Sequence, residues 1–565
     1  MVLGLLAPAT VLGACASGGH PLRTFPDRPV AWLEHDDTDV PRAPRERHLE
    51  NQDWGLLLRD SLTRESIRAL SFEAPRPAED VNAADEVPCS TWFCPRNHFH
   101  PMTPAEIAAG PGWSAPPRLP LTITAGKERG VSSGFQVIDA VGRKYLIKLD
   151  PPQRPHMATG AEVVANRLLH AAGYHVPGAY PLELDAGELR ISPDAEIELS
   201  GVADRPFTRK QLDVLLAGAA RTGGGRLSAV AVPWLPGRVL GAFDFLGRRS
   251  DDPNDRIDHQ NRRSLRASHV VLGWLNVEDA GVRNTLDSYV EEQGRRFVRH
   301  YLFDFGTGLG SATLSTKSVA QGREHMLAWS RLLAATFSLG LYQRSWQRDV
   351  AMWRRAGGGP AELGWFYPAE SWEPPEFRTG RKNPAHLRMT SKDAYWGAKV
   401  VTSFTDAQIH AAVAEAGYSD AAAARLEQVL RARRDRIGER YLLAYAAVES
   451  PQVSADGASL CFEDLALGRG YLRPDIVSYR VELGDGGAGG DGGGASPRVY
   501  QRYSVVPASA RTCVPLAAAA AERFPYLVVK VETRIGERAS RPTSVHLRWR
   551  PAQRQFAVVG IDRPE

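Results

Sequence analysis

Asp279 and Asn284 stand five residues apart in Trp274-Leu-Asn-Val-Glu-Asp-Ala-Gly-Val-Arg-Asn-Thr-Leu286, and Asp304 follows in Tyr301-Leu-Phe-Asp-Phe-Gly306. An amide oxygen and a carboxylate are hard ligands suited to Mg²⁺ or Mn²⁺, and a second carboxylate can orient a hydroxyl and take its proton. Upstream, Lys148 lies on the apolar run Tyr145–Leu149, where alternation turns it inward, and Glu162 comes fourteen residues later near the start of a helical pattern. A lysine withdrawn from water needs a carboxylate, because desolvating it alone is expensive. A Lys148–Glu162 pair would therefore hold an ammonium ready for phosphate oxygens. Between two predicted strands sits Gly130-Val-Ser-Ser-Gly134. Gly130, Ser132, Ser133 and Gly134 there would let backbone N–H groups approach phosphate, although taken alone the same residues read first as an ordinary β-turn. Arg283 would add positive charge. Cover, cation, metal ligands and hydroxyl-orienting group are together the parts that phosphoryl transfer from ATP requires.

These residues need strands, a helix and loops to hold them. Leu119 onward reads as successive strands (Leu-Thr-Ile-Thr, Gly-Phe-Gln-Val-Ile-Asp, Lys-Tyr-Leu-Ile-Lys-Leu-Asp) with turns at Gly126–Gly130 and Val141–Gly142. Ala161–Ala172 has helical spacing and stops at Gly173. Residues 51–72, 265–277, 322–355, 405–416 and 419–445 also have helical patterns. Asp475–Glu482, Val499–Val506, Tyr526–Thr533 and Ser544–Trp549 alternate as strands, around the low-complexity run Gly484–Gly494.

In that order and at those spacings, the region from about Leu119 to Arg440 resembles the protein-kinase-like superfamily. It is similar to the atypical branches, the toxin-kinase, spore-coat kinase and secretory-pathway kinase groups, and to a branch of uncharacterised bacterial lipoproteins. The resemblance implies an α+β, two-lobed protein-kinase-like fold, with an additional small β-rich C-terminal domain supplied by the strand pattern. It implies ATP and Mg²⁺ or Mn²⁺ at the cleft. In that scheme Asp279 contacts the acceptor hydroxyl, Asn284 and Asp304 hold metal, Lys148 and Glu162 form the phosphate-binding pair, and adenine is read near residues 227–235. There are departures: Val277-Glu278-Asp279 replaces His-Arg-Asp, and no Ala-Pro-Glu element follows Asp304. The acceptor, protein or small molecule, is therefore left open, as is transfer of AMP instead of phosphate. Glu278 would raise the Asp279 pKa if both faced the cleft, but it is expected to face away. His259, Arg262 and Arg263 read either as supports for the loop or as binders of an anionic substrate, support being the favoured reading. Trp365, Phe366, Tyr367 and Trp372 are read as packing residues instead of a carbohydrate groove.

The N-terminus points to export. The apolar run Val2–Leu12 leads into Leu12-Gly13-Ala14-Cys15 and resembles a bacterial lipobox, though no Lys or Arg precedes it. The expected layout is a signal peptide with lipidated Cys15 over 1–15, a tether over 16–50, and an extension over 51–118. A kinase-like N-lobe then covers 119–235, a C-lobe 236–450, and the β-rich domain 451–565. A lipid anchor would place the chain in the cell envelope, facing away from the cytoplasm. Four further cysteines fit an oxidising compartment, with local disulfides expected for Cys89–Cys94 and Cys461–Cys513. A zinc site of Cys89, Cys94, His98 and His100 is the competing reading. A net charge of +4 over 565 residues gives no footprint for nucleic acid. ATP is scarce outside the cytoplasm, so a second function class stands beside the enzyme: a noncatalytic lipoprotein that binds partners through its C-terminal domain. Hydrolase signatures are weak: Gly130-Val-Ser-Ser-Gly134 spells Gly-x-Ser-x-Gly but lies between two predicted strands and not on the strand-to-helix turn of a nucleophile elbow, and the sequence has no His-Glu-x-x-His helix.

Overall fold

The computed structural model describes residues 23–47, 76–126, 133–197, 205–326, 334–339, 341–342, 344, 346, 350, 360–366, 370, 372–486, 498–516 and 524–565. The chain is mixed α+β and forms two compact units. The larger comprises Val30–Ala447 with Leu465–Arg473 and Glu565; the smaller takes the N-terminus to Pro29, Val448–Asp464 and Pro474–Pro564.

The larger unit is built on a seven-stranded mixed sheet in the order β4-β7-β3-β2-β1-β5-β6. Its strands are β1 (Leu121–Gly126), β2 (Gly134–Ile138), β3 (Lys144–Leu149), β4 (Tyr180–Leu184), β5 (Leu189–Ile197), β6 (Arg205–Pro206) and β7 (Leu227–Pro233). Only the β1–β5 pairing is parallel. Side chains alternate across a strand. Leu121, Ile123, Phe135, Val137, Tyr145, Ile147 and Leu149 accordingly share one apolar core. Lys148 falls out of phase with that set, so it joins Leu146 on the opposite face of β3. Inward alternation thus puts the lysine inside the protein but off the apolar core. Helix α1 (Met157–Ala172) packs on β3, β4 and β7 and is buried on all sides, as a core helix must be.

A three-stranded antiparallel sheet of β8 (Arg238–Gly241), β9 (Thr285–Glu292) and β10 (Arg295–Leu302) lies in the same unit. So do α2 (Ser268–Trp274), α3 (Ser391–Val401), α4 (Asp406–Ala414) and α5 (Asp420–Ile437), which extends into a π turn over Gly438–Leu442. Thr390, Thr405 and Ser419 cap α3, α4 and α5 through their hydroxyls. The helical pattern over 322–355 is not realised at its start. Gly322 accepts from the Arg378 amide and Met326 donates to Gly380, so 322–326 is tied to a neighbouring segment instead of coiling on itself. Much of the rest of that span, the 51–72 pattern and residues 487–494 of the glycine run lie outside the described residues.

The tether reading over 16–50 fails where the chain is described. Residues 30–47 are built into the larger unit. Val40 donates to Arg296 and accepts from Tyr289 Oη, Arg47 pairs with Gly241, and Asp36 accepts from Thr91. Residues 23–29 belong to the smaller unit. There the Phe25 amide donates to Tyr526 Oη, and its ring occupies the space a Cβ on Gly560 would need. Pro-rich composition marks chain that forms neither helix nor ladder, and such chain can still be pinned.

The smaller unit carries two sheets, β11-β12-β15 and β14-β13-β16-β18-β19 with β17 against β16. Their strands are β11 (Val448–Val453), β12 (Ser459–Asp464), β13 (Ser478–Asp485), β14 (Arg498–Val505), β15 (Arg511–Pro515), β16 (Tyr526–Ile535), β17 (Arg538–Ala539), β18 (Thr543–Arg550) and β19 (Gln555–Asp562). Four of these cover the alternating segments read above. The expected boundary at 451 shifts, because Leu465–Arg473 packs in the larger unit. Cys461 and Cys513 face each other in the β12–β15 register and are disulfide-bonded, as are Cys89 and Cys94. With its two sulfurs bonded to each other, the zinc alternative has no thiolates. Among the described residues, no helix is long and apolar enough to cross a membrane.

Candidate active site

Strand β3 delivers Lys148, and the residue two positions later fixes its partner. Asp150 accepts from the amides of His156, Ala158 and Thr159 and from the hydroxyls of Thr159 and Ser228. It acts as the missing cap of α1, whose own cap residue His156 makes no side-chain bond to the helix's free amides. One aspartate thus clamps the helix start to the end of the lysine strand and sets which turn faces Lys148. That turn carries Glu162. Lys148 Nζ donates to Glu162 Oε2 at 2.9 Å and to Asp304 Oδ1 at 2.8 Å. Side-chain exposure separates the two acids: Glu162 is 1% exposed and Asp304 35%. Burial works against charge on Lys148, but Asp304 and Glu162 outweigh it and raise its pKa. Glu162 Oε1 is buried and has no hydrogen-bond partner among the described residues.

Asp304 comes off the end of β10 with φ +62°, a left-handed conformation that aspartate tolerates better than most side chains. The preceding Phe303 amide donates to the Asn284 carbonyl at 3.1 Å, which joins the Asp-Phe-Gly turn to the Asp279–Asn284 loop. That loop hangs from the end of α2. Arg433, sandwiched between Phe366 and Trp372, donates to the Gly273 carbonyl, and Trp274 Nε1 donates to the Leu430 carbonyl. Phe366 and Trp372 are therefore packing residues; Tyr367 lies outside the described residues. At the loop's far end the Thr285 hydroxyl lies within hydrogen-bond reach of the Val282 and Phe243 carbonyls and accepts from the Phe243 amide.

Asn284 Nδ2 donates to the Asp279 carbonyl, which leaves its Oδ1 as the acceptor end. Asp279 reaches solvent, yet loss of hydration raises its pKa, helped by the negative charges of Asp304 and Glu278 and opposed by the Asn284 hydrogen bond and Arg381. Glu278 is buried and turned toward Gln321, whose Nε2 donates to it at 2.8 Å. It faces another segment as expected, but its charge still reaches Asp279. The hydroxyl-rich stretch after Gly306 is packed down, with Leu309, Ser311 and Lys317 all buried. Lys317 carries no signal in the sequence. Its amide bonds Gly310 O and its Nζ bonds Asn276 O, beside Glu278 and Asp279, and burial pushes its pKa down to about 8.

Gly130 and Ser132 lie outside the described residues. Ser133 accepts from the Leu149 amide through its carbonyl. Gly134 pairs with Lys148, and a Cβ on it would lie 2.1 Å from the Ile147 carbonyl oxygen. Its lack of a side chain is thus required by the β2–β3 approach itself. Gly134→Ala should cost about 1–3 kcal/mol through forced displacement of β3, read as a lowered urea midpoint; a glycine needed only for ligand approach would leave the midpoint in place. Arg283 sits in the short turn Val282–Asn284. His259, Arg262 and Arg263 are supports. His259 bonds Asp255, Arg262 bonds Glu34 while stacking over Trp92, and Arg263 bonds Asp85 and Asp393. The recess between Asp279, Asn284 and Phe305 holds only about 10 Å³, so no ligand-sized space is enclosed there among the described residues.

Oxygen ligands alone are on offer here, Asp304 and Asn284, and they suit a hard divalent ion. Among the described residues, no group of three or more His, Cys, Asp or Glu forms a metal cage. A site that shares its ion with substrate phosphates does not need one, since Mg²⁺ in such sites takes one or two carboxylates and leaves other positions to phosphate and water.

No known family model matches the chain, and no curated protein matches its sequence. Among solved structures, a hydra Fam20 determined with sugar aligns with 50% of this chain and 86% of its own, at 14% identity and a TM-score of 0.21. A likeness that slight carries no argument, and the chemistry rests on the geometry above.

Proposed function

We propose that the chain is a kinase-like phosphotransferase that uses ATP with Mg²⁺ or Mn²⁺ and acts on a hydroxyl acceptor outside the cytoplasm, anchored through lipidated Cys15. The observation that carries the reading is Lys148 held between a sealed carboxylate and an open one, 2.9 Å from Glu162 and 2.8 Å from Asp304. A purely structural lysine would need one partner; the second, half-open carboxylate adjoins the loop of Asp279 and Asn284. In this reading Lys148 neutralises the α and β phosphates while Glu162 keeps its ammonium in place. Asp304 and Asn284 hold the metal, which supplies positive charge to the phosphate oxygens when bound. Asp279 takes the proton of the acceptor hydroxyl as the new O–P bond forms and the bond to the departing ADP breaks. The two disulfides are of the kind that persists in an oxidising compartment.

Titration calorimetry of the full chain with ATP and Mg²⁺, beside Asp304→Ala, tests the reading. Binding that needs the metal and vanishes in the folded Asp304→Ala chain is the expected result. No heat at millimolar ATP would remove the phosphotransferase and leave the noncatalytic surface protein.

A further inference from the structure

The larger unit contains a cavity of about 530 Å³, a volume ordinary for small-ligand sites, and none of its lining residues belongs to the candidate active site. It is walled by the end of α1, the chain just after it, strand β10 and the Cys89–Cys94 turn. Its cations are not all paired. Arg96 Nη1 donates to the carbonyls of His170 at 2.6 Å and Tyr174 at 3.1 Å, which fixes the guanidinium, but among the described residues it forms no ion pair. Burial lowers its pKa to about 10, and the neighbouring Arg299 adds to that.

The acids on the same wall are already committed. Asp36 accepts both the amide and the hydroxyl of Thr91, and Asp37 pairs with Arg295 at 2.8 Å. Arg299 spends its two terminal nitrogens on Glu292 and lies beside the Tyr301 hydroxyl, while its buried Nε has no hydrogen bond of good geometry among the described residues. His170 and His175 are both held uncharged by burial and by Arg96. Arg295 and Arg299 are thus answered by Asp37 and Glu292, the Asp36 carboxylate is turned to Thr91, and Arg96 is the lining cation that no acid contacts among the described residues. A half-buried cation without a paired acid is costly, and a bound anion is what relieves it. Trp113, Phe297 and Tyr301 supply flat apolar surface beside this charge.

We propose that the cavity binds a small organic anion, a carboxylate or a phosphate monoester bearing a flat apolar group, with its charged end at Arg96 and Arg299. The site is independent of the phosphotransferase reading.

The test uses the full chain titrated with phenyl phosphate and, separately, with benzoate, which tell the two anions apart, and with benzyl alcohol as the uncharged control. At least one anion should bind with Kd on the order of 0.1–1 mM. Affinity should fall about tenfold or more in Arg299→Gln and in Arg96→Gln, since each removes a charged hydrogen-bond donor. Arg96 also supports two carbonyls; should Arg96→Gln fail to fold, Arg299→Gln carries the test alone. Asp304→Ala should bind as the natural chain does, which places the anion away from the nucleotide cleft. Three results would each overturn the proposal: no binding of either anion at about 10 mM, equal binding of benzyl alcohol, or unchanged affinity in the folded arginine variants.

Discussion

Lys148→Met should cost the larger unit about 3–5 kcal/mol, and adding Glu162→Gln in the same chain should restore most of it. The reason lies in what each substitution leaves behind. Glu162 is 1% exposed at its side chain, and its Oε1 already has no hydrogen-bond partner among the described residues. Without the ammonium it becomes a buried carboxylate that must either stay charged in a poor environment or take up a proton. Removing its charge as well converts a broken ion pair into a neutral contact, which is far cheaper. Asp304→Ala should behave differently. Its carboxylate is 35% exposed, and Lys148 keeps Glu162 when Asp304 is gone, so the loss should stay within about 1 kcal/mol. Amide exchange of β3 and α1 under native conditions reads these changes within the larger unit, without assuming that the two units unfold together. A Lys148→Met chain as well protected as the natural one would mean that the pair is not sealed from water.

That asymmetry also orders the functional argument. A carboxylate whose loss costs the fold little, yet which is held on a left-handed backbone beside the lysine, is not explained by stability. Under the phosphotransferase reading it is the group spared for work. In the same reading Glu162 is the reverse case, acting through Lys148 and touching no substrate.

Much of this arrangement is readable in the residues, for a physical reason. Lys148 and Glu162 are fourteen residues apart on a strand and the helix that follows it, so two local periodicities suffice to bring them together. The Lys148–Asp304 contact spans 156 residues and depends on how the large sheet meets the end of β10, which no local pattern encodes. Lys317 is the clearer miss. A lysine in a hydroxyl-rich stretch reads as solvated, and only the packing of that stretch under the Asp279 loop buries it. The same limit applies to residues 30–47, whose order comes from backbone bonds to β10 and the Gly241 bridge and from the Asp36 carboxylate on Thr91, and not from any periodicity of their own. Arg262 and Arg263 show the opposite situation. Residue type leaves support and anion binding both open, and the carboxylates of Glu34, Asp85 and Asp393 decide for support.

Asp279→Asn should lower the rate of ATP turnover about 10²–10⁴-fold while leaving metal-dependent ATP binding in place, because an amide cannot accept the hydroxyl proton. Water serves as the acceptor where no other is supplied. The pH profile tests the role more sharply than the loss of rate. Burial, Asp304 and Glu278 all raise the Asp279 pKa, so the rate should fall on the acid side at a pH above the ordinary carboxylate range. The working form is the ionised one, and activity is therefore lost as pH drops through the raised value. Glu278→Gln removes one of the two like charges but keeps an oxygen for Gln321 to donate to, so the segment stays in place while the acid limb moves to lower pH. Lys317→Met removes a neighbouring cation and should move the limb upward. Opposite displacements from two buried residues that touch no substrate would identify Asp279 as the titrating base. A limb that stays fixed in both variants would assign the proton to another group and leave Asp279 a loop residue held by Asn284.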